Sequence, residues 1–93
     1  MISYWQDTQE ICEDDGLVLI FGRYNHKNRS ASGTKSLGVY WDNFPFVNNK
    51  LSPCVIPKDT RNAILSGLLH KAVAENNKPK IDKILEAIKF FRE

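Results

Sequence analysis

Leu17-Val18-Leu19-Ile20-Phe21 is an unbroken apolar run closed at both ends by glycine, Gly16 and Gly22. Such a run is too short for a helix and rich in residues that favour extended backbone. A strand that is apolar at every position has both faces covered, so it belongs near the centre of a sheet. The strand is expected to continue to Tyr24. Residues 36–41 offer it a partner, because Leu37, Val39 and Trp41 alternate with Gly38 and Tyr40 at the period of a strand with two distinct faces. The two strands are expected to form an antiparallel hairpin. The polar stretch 25–35 between them reads as a long exposed loop, a kind of connection that often carries function.

The rest of the chain is read around that hairpin. Residues 42–53 look irregular, with Phe44-Pro45-Phe46 and Asn48-Asn49 forming a turn-rich loop expected to tuck its aromatics under the sheet. Cys54-Val55-Ile56 lies between Pro53 and Pro57, which marks a short edge strand. Asp59 is the expected N-cap of a helix over 60–75, whose apolar stripe is Ile64, Leu65, Leu68, Leu69, Ala72 and Val73. That helix should stop at Asn76-Asn77. Pro79 suits the first turn of a second helix, in which Ile81, Ile84, Leu85, Ile88 and Phe91 form the next stripe. Ahead of the first strand, Tyr4, Thr8, Ile11 and Cys12 share one face of a helix over 3–12 that Ser3 would cap and Glu13-Asp14-Asp15-Gly16 would end; an extended lead-in is the alternative. The expected fold is a single α+β domain over residues 1–93. It has a small antiparallel sheet of about three strands packed against two C-terminal helices, with a short N-terminal helix. A length of 93 residues, 42% apolar and 26% charged, suits one small core.

Charge is unevenly distributed along the chain. Residues 1–15 hold five acids and no Lys or Arg, whereas 16–58 hold six bases against Asp42 alone. Within the hairpin, Arg23, Tyr24, His26, Lys27, Arg29 and Lys35 combine cations with an aromatic and an imidazole. Cations of this kind bind phosphate backbones, and Tyr24 offers a face for a base to stack on. This makes a nucleic-acid-binding module the runner-up reading. The (α)-β-β-β-α order is similar to that of double-stranded-RNA-binding folds and of the small ribonuclease toxins built on them, in which a His near the first hairpin carries the chemistry. That resemblance, one of element order, places a small ribonuclease third. The net charge of +2 is far below that of a dedicated DNA-binding domain.

Other chemistry is poorly provided for. Cys12, His26, Cys54 and His70 have no local ligand pair of the kind structural zinc sites use. A Cys54–His70 catalytic pair is disfavoured, because Cys54 sits in an apolar, proline-bounded strand and His70 lies on the helix face opposite the apolar stripe. Both cysteines are therefore expected to be packed structural thiols. Glu13-Asp14-Asp15 beside glycine reads as a solvated turn, and no nucleophile-elbow, H-E-x-x-H or P-loop pattern is present. No cofactor is implied. There is no apolar run long enough for a membrane span and no signal-peptide pattern at the N-terminus, so a cytoplasmic protein is expected.

The leading expectation is a small non-enzymatic binding or assembly module, a homodimer or other homo-oligomer, acting through protein–protein contacts. Phe90 projects from the last helix in line with Asp82, Lys83 and Glu86, an aromatic on a charged face. Trp5 and Trp41 supply aromatic bulk that a small core does not easily hide. Phe90, Trp5 and Trp41 are the expected interface residues.

Overall fold

The structure, a computed structural model, describes residues 4–25, 33–41, 44–47 and 50–93. It divides into two units, Met1–Ile56 and Pro57–Glu93. The first holds a four-stranded antiparallel sheet and a small two-stranded one, and the second two helices, so the class is α+β.

The apolar run lies in β2 (Leu17–Tyr24), between β1 (Trp5–Asp14) and β3 (Thr34–Trp41) in the sheet order β1-β2-β3-β6. Central position explains its composition: Val18, Ile20, Leu19 and Phe21, which point alternately to the two faces, are all buried. β2 and β3 pair without interruption from Leu17↔Trp41 to Tyr24↔Thr34. β6 (Cys54–Ile56) closes the opposite edge on β3, where Pro53 and Pro57 limit it.

The first strand corrects the helical reading of 3–12. Trp5–Asp14 is extended and pairs with β2 along its length. Two register shifts, between Gln6 and Gln9 and between Glu10 and Cys12, add residues to the strand. Its inward positions consequently fall at Trp5, Thr8, Ile11 and Cys12. Those intervals are close to the helical repeat, which is how a bulged strand came to look helical. The hairpin joining β1 to β2 turns on Asp15 (φ 51°) and Gly16 (φ 86°), the two positive angles that a type I′ turn needs. With a strand in first place, the element order no longer matches that of the double-stranded-RNA-binding folds.

One face of the sheet is organised by Trp5. Its ring reaches across Ile20 to Gly38 on β3, where an added Cβ would stand 2.6 Å from Cη2. Its Nε1 donates to the carbonyl of Pro53 at 3.4 Å, so one side chain on the β1 edge reaches the segment leading into β6. Val18 and Ile20 complete the buried cluster, with Tyr24 and Tyr40 packed against it.

Two short strands stand where an irregular loop was expected. β4 (Phe46–Val47) and β5 (Lys50–Leu51) form a two-stranded sheet, and the Phe44–Pro45 peptide is cis. Phe44 is not tucked away but stands 64% exposed.

In the helical unit, α1 runs over Lys58–Ala74 and α2 over Lys78–Arg92. α1 begins earlier than expected. Pro57 is its N-cap residue, with no side-chain cap, and Asp59 falls inside the first turn. The Asn76-Asn77 pair links the helices. Asn76 is left-handed (φ 53°), and the Asn77 and Asn76 amides donate to the carbonyls of Ala72 and Val73, a Schellman ending. The Asn77 side chain then accepts from the Lys80 amide at 3.3 Å, capping α2, with Pro79 in its first turn. Leu65, Ala72, Ile84 and Ala87 are the buried positions of the pair, whereas Val73 and Leu85 of the expected stripes are about half exposed.

Candidate interaction surface

β3 ends at Trp41. Trp41 and Phe44 form an isolated antiparallel bridge closed by two backbone hydrogen bonds, Trp41 N–H to Phe44 carbonyl at 2.8 Å and Phe44 N–H to Trp41 carbonyl at 3.0 Å. The bridge sets the two residues directly opposite one another. Their side chains are 49% and 64% exposed. Two aromatic residues are thus held at the surface by backbone that is fixed on both sides, by the full-length β2 pairing and by the bridge itself.

The three expected interface residues have different surroundings. Trp5 is only 6% exposed, held in the core by Gly38, the Pro53 carbonyl and Tyr24, whose ring centroid lies 5.4 Å away. Trp41 is at the surface. Phe90 is partly buried and meets Phe91 edge-on, with centroids 5.2 Å apart, so it does not project freely from a charged face. Phe44 was missed because an aromatic beside proline in a turn-rich stretch reads as loop packing; only the bridge to Trp41 turns it outward.

Of the expected nucleic-acid contacts, Arg23 and Lys35 are brought together as direct cross-strand partners of β2 and β3. Tyr24 is partly buried and packed against Trp5. His26, Lys27 and Arg29 lie outside the described residues.

The reactive side chains show no assembled site. Cys12 is half-buried and Cys54 is exposed, which corrects the expectation that both are packed thiols. β6 pairs on one side only, so an apolar, proline-bounded sequence did not guarantee burial. His70 is exposed on α1, as its position off the apolar stripe predicts. Glu13, Asp14 and Asp15 are all exposed around the β1–β2 turn. Among the described residues no group of three or more His, Cys, Asp or Glu stands close enough to hold a metal ion, and no helix is long and apolar enough to cross a membrane.

The chain matches no family model, no curated protein and no solved structure.

Proposed function

We propose that the protein is a non-enzymatic binding and assembly module that pairs with copies of itself through the Trp41–Phe44 corner. The observation that carries this reading is the pair of exposed aromatic side chains on a hydrogen-bonded bridge. Interfaces concentrate their energy in a few aromatic anchors, and an anchor whose backbone is already ordered loses little entropy on binding. A paired Trp and Phe also suit a two-fold interface, because aromatic rings stack well against a second copy of the same surface.

Sedimentation velocity on the full chain over the micromolar range tests this. A mass above that of one chain is expected, with Trp41→Ser and Phe44→Ser each shifting the protein toward monomer while the far-ultraviolet circular dichroism stays unchanged. A single-chain mass at every concentration would sink the reading.

A nucleic-acid-binding module is the second reading, favoured by the cross-strand Arg23–Lys35 pair. Two cations at one cross-strand position can offer charged donors to the same phosphate. If Arg23, Lys27, Arg29 and Lys35 all touch phosphates, affinity should fall with salt at a log–log slope of roughly −3 to −4. Arg23→Ala should make that slope shallower by about one unit. A His26→Ala variant that loses RNA cleavage but keeps binding would instead point to a ribonuclease.

A further inference from the structure

The helical unit carries a cleft of about 360 Å³ between the first turns of α1 and the last turn of α2. Its apolar part is made by Leu65, Ile88 and Phe91, and its charged part by Lys58, Arg61 and Arg92. Asn62 and Ser66 add hydrogen-bonding groups, and no acidic residue lines it. The Arg61 guanidinium lies over the Phe91 ring, 4.0 Å from the centroid, which fixes a cation against the apolar wall. Among the described residues Lys58 and Arg92 enter no ion pair. Of the acids next to them in sequence, Glu93 reaches Lys89 at 3.9 Å, and Asp59 shares the first turn of α1 but does not line the cleft. α1 also starts without a side-chain cap, so the partial positive charge of its first turn stands at the same end as Lys58 and Arg61.

We infer that this cleft binds a small phosphate monoester carrying an apolar or aromatic body. The volume is in the range of small-ligand pockets, which pair apolar walls with a few convergent polar groups. Three cations beside an uncapped helix start favour a dianion over a carboxylate. Two of the three are arginines, whose forked donors match phosphate oxygens. Leu65, Ile88 and Phe91 would be left uncovered by inorganic phosphate alone, so the ester's organic body supplies the rest of the fit.

Calorimetric titration of the full chain at low ionic strength tests the inference, with phenyl phosphate as the probe and inorganic phosphate, benzoate and benzyl alcohol as comparisons. Phenyl phosphate should bind saturably and at least about tenfold more tightly than any of the three. Its binding should move the amide resonances of residues 58–66 and 88–92. Lys58→Ala and Arg92→Ala change exposed side chains and should each weaken binding by about fivefold to tenfold. Lys71→Ala, on α1 but outside the cleft, should leave binding unchanged, as should the Trp41 and Phe44 variants. The inference is overturned by a lack of saturable binding, by equal affinity for inorganic phosphate, or by an affinity that the Lys58 and Arg92 variants leave unaltered.

Discussion

Trp5 and Gly38 depend on each other. The indole occupies the space a β3 side chain would otherwise fill, with Cη2 only 2.6 Å from where a Cβ would stand. Gly38→Ala should therefore displace the ring, at a cost of about 1–3 kcal/mol read from urea denaturation, with a change in native tryptophan emission. Cys54 gives a second test at this scale. Being exposed, it should react with a thiol reagent in the native protein well before the half-buried Cys12, as intact-mass measurement after brief labelling would show. A Cys54 that resists labelling would contradict the placement of β6 at the sheet edge, and a Cys12 that reacts as fast would contradict its partial burial in β1. Neither residue's environment was legible beforehand. Gly38 reads only as an alternating position of a strand, and Cys54 as a packed thiol, until the indole and the unpaired edge are known.

Among the elements, the second and third strands and both helices were legible because each has a strong local signal. β2 has its apolar run, β3 its alternation, and α2 its Pro79 start with an apolar stripe. β1 was misread because its two bulges space the inward residues like a helix, yet a truer signal stood beside it. Asp15-Gly16 ahead of an apolar run is the sequence of a two-residue hairpin turn, which requires a strand on each side. Asp15→Val should destabilise the fold by about 1–3 kcal/mol, since a β-branched residue is strained at φ 51°. At the helix junction, Asn77→Ala removes the α2 cap. Because the hydrogen bond is long at 3.3 Å, a loss near the lower end of the usual range is expected, about 0.5–1 kcal/mol by thermal or chemical denaturation.

For the molecule as a whole, the sharpest consequence concerns self-association. If Trp41 and Phe44 anchor the interface, truncating either to Ala should cost about 2 kcal/mol of association energy, roughly a thirtyfold rise in the dimer dissociation constant. The Phe90→Asp variant should have a smaller effect on association than either, because Phe90 is partly buried against Phe91. Its main effect should be on folding stability instead. Comparing the three variants by sedimentation and by denaturation separates an interface residue from one that supports the helical unit.

The sequence alone determined the α+β class, the central position of β2, the β2–β3 hairpin, the edge strand between prolines and the helix break at Asn76-Asn77. Each rests on residues adjacent in the chain: an apolar run, an alternation, a proline pair, two turn-forming amides. Tertiary structure alone decided the extended state of residues 5–14, the burial of Trp5, the exposure of Cys54 and the outward display of Phe44 opposite Trp41. Those outcomes depend on distant partners. Strand pairing with β2 overrides local helical spacing, Gly38 makes room for an indole 33 positions earlier in the chain, and an isolated bridge fixes which aromatics face water. The cleft with its three cations is of the same kind, since Lys58, Arg61 and Arg92 meet only when the two helices fold back on each other.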